Sequence, residues 1–311
     1  MEGDMKWKEI LLKALDYIKK HRALWYLGIL AVLVGSGGGE NFYSFGGSGS
    51  NKSSGTPDQF QLTVSQISDW ISAHQSEVEI LIIAAILICI ILLYIAFSAR
   101  AGLIYAVDGA ESHGKKPEFH QSFHQGQKYF WRFVGLSLLI ALMIFAVIFV
   151  LVGLGAILAI LLVSVSAWFL IIIIPVGLLL VAGIIILTVY LNWLLLLAYR
   201  EIVIEDKKIV AAITAADRLI HHNFSKVILA WLIALAVGLA AGIAIGIVSL
   251  VVGGLFFGIC VGIYFVGGIA ATIIYGAIAG IIFIALALLL AGVLNAYIST
   301  YWTLVYRELK K

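Results

Sequence analysis

The feature that most constrains this chain is a pair of long stretches without any Asp, Glu, Lys, Arg or His. Residues 133–199 form one stretch of 67 residues, and residues 227–306 form another of 80 residues. A helix needs roughly 20 apolar residues to cross the hydrocarbon of a bilayer. Each stretch therefore predicts at least two membrane-spanning helices.

The composition likewise indicates that most of the chain lies in a lipid bilayer rather than in water. Of the 311 residues, 63% are apolar and 12% are charged, whereas a soluble domain is about half apolar and about a quarter charged. A water-soluble core of this length cannot bury so much apolar surface, so we expect a bilayer around most of it. This argues against a soluble secreted protein, a cytosolic enzyme and a nucleic-acid-binding protein.

The basic residues are grouped, and the grouping predicts a topology. Of the 20 Lys and Arg residues, all but Lys52 fall within residues 1–22, 100–132, 200–226 and 307–311. Loops rich in Lys and Arg lie on the cytoplasmic side of a membrane. We therefore expect both termini in the cytoplasm and an all-α fold. The predicted architecture is a polytopic bundle of six transmembrane helices in three helical hairpins, with interfacial amphipathic helices.

Hydropathy gives approximate bounds for the six spans. They cover about residues 23–35, 78–100, 130–162, 168–199 and 227–251, and the last one ends at about residue 306. Gly253 and Gly254 are expected to break the fifth span, and residues 255–272 to form a kinked or re-entrant piece. Four spans within residues 227–306 are the alternative. The first segment also has the length of a signal peptide, but we interpret it as a short span.

Two segments have the pattern of interfacial helices. Residues 5–21 place apolar side chains at helical spacing with lysines opposite, which predicts a helix on the inner membrane surface. Its lysines would meet the anionic leaflet. After a Gly/Ser-rich loop at residues 35–55, residues 56–75 predict a second such helix on the outer surface.

Similar sequences recur at the membrane exits and entries. The fourth span ends YLNWLLLLAYRE at residues 190–201, and the sixth ends YISTYWTLVYRE at residues 297–308. We expect one membrane domain, 1–311, built from internal repeats at 1–110, 111–205 and 206–311. The alternative is that any hairpin ends with aromatic residues at the interface and arginine beyond it.

The predicted spans contain no ionisable group at depth except Tyr and Cys side chains. Proton relays, ion-coupled carriers and intramembrane hydrolases depend on such groups. We therefore predict no enzyme, no catalytic or metal-binding residue and no cofactor. His120 and His124 share a helix face and form the best metal-ligand pair. The favoured interpretation is an interfacial helix with Phe119 and Phe123 towards lipid and the histidines towards water.

Other residues within the spans have structural interpretations. Asn192 and Asn295 are predicted to hydrogen-bond between helices, with a ligand contact as the alternative. Cys89 and Cys260 are predicted to be small buried apolar residues. Small residues at every fourth position allow close helix packing within the chain, or a homo-oligomer or protein partner on the same surface. They are Gly238, Gly242, Gly246, Gly254, Gly258, Gly262, Gly276 and Gly280.

Three segments carry a resemblance to a known family. They read HRALWYLGILAVLVGSGGG at residues 21–39, ARAGLIYAVDGA at 99–110 and AITAADRLIHHNFSKV at 212–227. The chain resembles, over nearly its whole length, the membrane-domain family associated with glycerophosphoryl diester phosphodiesterases. The resemblance implies a multi-pass protein of a prokaryotic plasma membrane. Most members of that family have no assigned function. The phosphodiesterase itself is a separate barrel domain, so no catalytic residue carries over.

The sequence leaves three hypotheses about function. The first is a non-enzymatic membrane protein acting as a scaffold, partner subunit or lipid-organising bundle, with membrane lipids as its partners. The alternative is a transporter or exporter of an apolar or lipid-like solute. The third is an enzyme that uses the cytoplasmic histidines.

Overall fold

A computed structural model describes residues 6–32, 72, 74–114, 116–163 and 170–311. Within these ranges the regular structure is entirely helical. The helices are α1 (Trp7–Lys20), α2 (Arg22–Val32), α3 (Gln75–His113), α4 (Phe119–Lys128), α5 (Phe130–Val163), α6 (Leu170–Ile204), α7 (Ile209–His222) and α8 (Phe224–Leu309).

Five helical segments of the described chain are long and apolar enough to cross a membrane. They are α3, α5, α6 and two halves of α8, Phe224–Val266 and Ala271–Leu309. The predicted first span corresponds to α2, which is apolar but has only 11 described residues. The all-helical, membrane-compatible fold is confirmed. The predicted outer helix at residues 56–75 lies almost wholly outside the described residues, as does the turn expected between the third and fourth spans.

The predicted break at Gly253 and Gly254 is wrong, because the helix continues through both residues. A helix satisfies its backbone groups internally, and hydrocarbon offers no water that would compete for them. The break lies at Gly268, whose φ of 72° favours glycine. Gly253 lies against the Phe283 ring, and the Tyr301 hydroxyl donates to the carbonyl oxygen of Ala230 at 3.1 Å. The two halves of α8 are therefore antiparallel.

The same order of elements occurs three times in the described chain. A short helix (α1, α4 or α7) is followed by an entry helix (α2, α5 or the first half of α8) and an exit helix (α3, α6 or the second half of α8). A single residue separates each short helix from its entry helix: His21, Tyr129 or Asn223. The predicted repeat of sequence remains a prediction.

Each exit helix contacts the next short helix and the next entry helix. At the first junction, α3 crosses α4 where Gly102 and Gly126 meet. The same exit helix contacts α5 through the rings of Tyr94 and Phe130, whose centroids are 4.8 Å apart. The first exit helix is thus held by the second unit.

The second and third junctions repeat this arrangement. The Tyr190 hydroxyl of α6 donates to Asp217 of α7, and Trp193 lies 5.8 Å from Trp231 of α8 between ring centroids. The Tyr297 hydroxyl of the last exit helix donates to the carbonyl oxygen of Leu11 in α1 at 3.4 Å. Gly292 of that helix packs against α2. The contacts return to the first unit and close a ring.

The apolar face of α1 covers protein rather than lipid. Ala14 and Ile18 are 0% and 5% exposed, and Trp7 and Leu11 pack against the same core. The prediction that this whole face lies on the membrane is therefore wrong, because the last exit helix occupies it. The side chains of Leu12 and Leu15 remain exposed on a separate face of α1.

The buried core lies at one end of the helices, which we call the packed end. It includes the last turns of α3, α6 and α8 and the first turns of α5 and α8. The remaining lengths of the spanning helices, which we call the arms, expose large apolar side chains. Ile247 and Ile281, for example, are 60% and 69% exposed.

Two predictions for the arms are not met within the described chain. Most of the regularly spaced glycines have open space where a side chain would be, and they do not pack helices together. Nothing lies within 4 Å of a Cβ built at Gly242, Gly246, Gly254, Gly258, Gly262, Gly276 or Gly280. Cys89 is exposed rather than buried, and Cys260 is half-buried. Both cysteines lie on arms, where the protein has little interior.

We expect Gly126→Ala to destabilise the packed end. A Cβ at Gly126 would lie 2.6 Å from the backbone nitrogen of Gly102 and would also overlap the carbonyl oxygen of Ser98. Overpacking of this kind lowers the free energy of unfolding by about 1–3 kcal/mol. Thermal unfolding in detergent measures the effect.

Gly109→Ala is the matched control, since a Cβ at this helical glycine meets nothing within 4 Å. Alanine there should leave the unfolding temperature unchanged or raise it slightly. Equal losses in the two variants would contradict the close crossing of α3 and α4.

Candidate functional site: the polar hub

A cluster of charged and polar side chains joins the three exit helices at the packed end. We call it the polar hub. Its members are Asp108 of α3, Arg200 and Glu201 of α6, Glu205 and Lys207 just beyond α6, and Ser299, Arg307 and Lys310 at the end of α8. Its position follows from the sequence, because the long uncharged stretch of each exit helix ends in charged residues.

Arg200 is fully buried, with 0% of its surface exposed. Its guanidinium donates to the carbonyl oxygen of Leu196 at 2.5 Å and to that of Ser299 at 3.2 Å. Burying a cation is costly unless it is hydrogen-bonded, and the planar guanidinium can bond to two helices at once because it presents several donors. Arg200 therefore joins α6 to α8 through backbone carbonyl oxygens. Substituting Leu196 or Ser299 would not remove these oxygens.

Glu201 is the buried anion of the hub and is 2% exposed. The Nζ atom of Lys207 lies 2.6 Å from its carboxylate, and that of Lys310 lies 3.6 Å away. Lys310 also pairs with Glu205 at 2.7 Å, and this bond is the main reason that the pKa of Glu205 lies below its usual value. Two lysines that remain partly solvated thus neutralise one buried carboxylate.

Arg307 completes the hub by joining the last exit helix to the first. Its Nη1 donates to the Asp108 carboxylate at 3.2 Å and to the Asp108 carbonyl oxygen at 3.3 Å. Arg307 therefore binds both the carboxylate and the backbone carbonyl oxygen of Asp108. Through Arg200, Lys310 and Arg307, the end of α8 is bonded to both other exit helices.

The residues singled out from sequence lie elsewhere. His120 and His124 are both exposed on α4, and no group of three or more potential metal ligands occurs among the described residues. Asn295 is 3% exposed, and its side-chain amide has no hydrogen-bond partner in the described chain. The predicted bond from Asn295 to another helix is thus not formed, while Asn192 is half-buried and engaged.

Sequence reasoning placed Arg100, Arg200 and Glu201 with the charged residues on the cytoplasmic side of the spans, whereas they are buried at 3%, 0% and 2% exposure. A signal was present in the Tyr-Arg-Glu ending that two of the exit helices share. An Arg-Glu pair directly after an uncharged span is typical of the interface, so the pattern did not distinguish a solvated pair from a buried one.

The arrangement can hold three helices in a fixed relation by ion pairs and by bonds to carbonyl oxygens.

A protein-family model described as "Family of unknown function (DUF7544)" matches residues 20–310. No curated protein matches the chain, and no solved structure matches it. The family match gives no link to the phosphodiesterase-associated family, and that resemblance remains a prediction.

We expect Glu201→Gln to destabilise the protein because Lys207 and Lys310 would lose their shared buried anion. Since both lysines retain contact with solvent, the loss should be about 1–3 kcal/mol in the free energy of unfolding. Chemical unfolding in detergent micelles measures it.

Glu308→Gln is the control for the hub. Its carboxylate is 39% exposed and pairs with the exposed Lys311. Such a surface pair contributes little, so the unfolding midpoint should barely move. If both variants behaved alike, the hub would not be what joins α6 to α8.

Proposed function

The chain belongs to this family of unknown function, and on that premise we propose that it is a non-enzymatic integral membrane protein, a scaffold that organises the lipid around its arms. In this proposal six spans form three hairpins, and α2 belongs to the first of them. The packed end faces the cytoplasm together with both termini, because most lysines and arginines lie there. The membrane is a prokaryotic plasma membrane, and the three units are internal repeats.

The observation that carries the proposal is the contrast between the packed end and the arms. In each candidate span, at most 22% of the most apolar 18-residue window is buried inside the protein. Apolar surface of this extent needs hydrocarbon around it. The hub meanwhile fixes the helices at one end, so the arms present a defined surface to the lipid.

The length of the arms supplies a mechanism for organising lipid. Phe224–Val266 contains 43 residues and Ala271–Leu309 contains 39, which correspond to about 65 Å and 59 Å of helix. Buried residues of the packed end extend to Gly238 in the first half of α8, and the 28 residues from Leu239 to Val266 still measure about 42 Å, whereas the hydrocarbon core is about 30 Å thick. Such a mismatch is relieved by tilting the helices or by thickening the bilayer beside them. Either response selects the lipids that surround the protein.

Lipid selection by chain length tests this proposal. Purified protein in vesicles should bind long-chain phosphatidylcholine in preference to short-chain phosphatidylcholine, as measured by competition with brominated lipids. Deleting residues 255–261 and 275–281 removes two helical turns from each half of α8, at equal distances from Gly268. This shortens the arm by about 10 Å and should shift the preference to shorter chains.

A shorter deletion provides the control, because removing residues 255–258 and 278–281 should shift the preference about half as far. Binding that is indifferent to chain length in all three proteins would contradict lipid organisation by the arms. Accelerated movement of a fluorescent lipid between leaflets, over that in protein-free vesicles, would favour the transporter hypothesis instead.

The exposed face of α1 gives the packed end a place on the membrane surface. Leu12 and Leu15 are 58% and 40% exposed, and Lys8 and Lys19 lie one helical turn beyond them on the same face. Exposed leucines flanked by lysines are typical of a helix in the interface, with the charged ends reaching the head groups. This narrow face, rather than the broad one predicted from sequence, is the one we place against lipid.

Depth-dependent quenching tests that placement. In a background without Cys89 and Cys260, a fluorophore on Leu12→Cys should be quenched by a nitroxide attached to lipid acyl chains. The same fluorophore on Glu9→Cys should be quenched less, because Glu9 lies on the charged flank of α1, towards Lys6, with which it pairs. Equal quenching at the two positions would place α1 away from the interface.

A further inference from the structure

We propose that a cleft between α1 and the connection from α3 to α4 binds a phosphate-bearing ligand, the head group of an anionic phospholipid. The inference rests on the membrane location proposed above. The cleft has a volume of about 250 Å³. Its walls are formed by Lys13, Asp16, Tyr17, Lys20, His21, Ala110, Gly114 and Lys116.

The charges of the cleft leave a positive surplus. Lys20 pairs with Asp16 at 2.6 Å, and Lys13 pairs with Glu111, behind the cleft, at 2.7 Å. Lys116 also lines the cleft, and it has no ion-pair partner within the described ranges. Three ammonium groups therefore surround the space, and only two carboxylates balance them. An anion entering the cleft would supply the missing partner of Lys116.

His21 and Tyr17 add neutral polar groups to the wall. Burial, together with the charges of Lys20 and Lys116, holds the pKa of His21 below its usual value, so the imidazole is neutral at pH 7 and can donate one N–H. The Tyr17 hydroxyl donates to Glu111 at 2.7 Å, and burial with this bond raises its pKa to about 12. Tyr17 and Lys13 thus bind the two oxygens of the same Glu111 carboxylate behind the cleft.

Exposed aromatic side chains beside the cleft favour a lipid over a soluble phosphate. Tyr26 lies on α2, which begins directly after His21, and Phe119 begins α4, three residues after Lys116. Their rings meet edge to face with centroids 6.2 Å apart, although Tyr26 is 59% exposed. Aromatic rings at this level suit the glycerol and upper acyl region of a lipid, with the phosphate held among the lysines.

Native mass spectrometry of lipid binding tests the site. The full chain in detergent is titrated with phosphatidylglycerol and, separately, with phosphatidylcholine of the same chain length. We expect preferential binding of phosphatidylglycerol, and a loss of affinity of roughly tenfold or more in the double variant Lys20→Gln and Lys116→Gln. The double variant Lys128→Gln and Lys208→Gln removes the same charge from exposed positions outside the cleft and should retain the preference.

Two further measurements separate the sources of the phosphate. Tyr26→Ala should weaken the binding of phosphatidylglycerol. It should leave unchanged any effect that inorganic phosphate has on the unfolding temperature. Stabilisation by inorganic phosphate that Lys116→Gln abolishes, without any preference for phosphatidylglycerol, would overturn the lipid assignment in favour of a soluble phosphate. An equal loss of affinity for phosphatidylglycerol in both lysine double variants would overturn the site, provided that circular dichroism shows both variants to be folded.

The outcome is separable from that of the proposed function. Selection of lipids by chain length depends on the arms, whereas head-group preference depends on the cleft. Head-group preference without chain-length selection would refute the arms mechanism alone. Chain-length selection without head-group preference would refute the cleft alone.

Discussion

The hydrogen bonds and ion pairs of Arg200, Lys310 and Arg307 hold the molecule together at one end. Apolar helices gain no hydrophobic stabilisation by leaving lipid for one another, because lipid tails are as apolar as leucine. Bonds between polar groups and close contacts of small residues must therefore define their arrangement. Both occur at the packed end: the hub joins the exit helices, and Gly28, Gly102, Gly126 and Gly292 allow close backbone approach.

The ring of contacts explains why this end is closely packed while the arms are open. Each exit helix is held by the short helix and the entry helix of the next unit. Every unit therefore depends on contacts with a neighbouring unit. Beyond the packed end, the long apolar stretches of the arms carry few polar groups that could draw them together. A fixed base with long apolar arms is suited to act on lipid, and an anionic head group in the cleft beside α1 would seat that base at the membrane surface.

The sequence predicted the helices well and their surroundings less well. The first short helix, the helices predicted at residues 130–162 and 168–199 and the end of the last helix lie close to their observed bounds, since hydropathy and helical periodicity are local properties. The fifth span was predicted to end about 15 residues too early, because the helix continues to Val266. Burial is not local. The apolar face of α1 was assigned to lipid although α8 covers it, and Arg200 was placed with the charged residues of the cytoplasmic side although it is buried. In both cases the partner lies far away in the sequence, and composition carries no information about it.

The amino-acid sequence by itself determined that this chain is helical and suited to a bilayer, because long continuous apolar stretches satisfy their backbone groups in hydrocarbon as helices. It also determined which residues begin and end most helices. Only the tertiary structure decided which glycines are contacts, that the turn in α8 lies at Gly268, and that charges near the exits form a buried hub. Those outcomes depend on which helices become neighbours, and neighbours are set by packing among distant segments rather than by any local pattern.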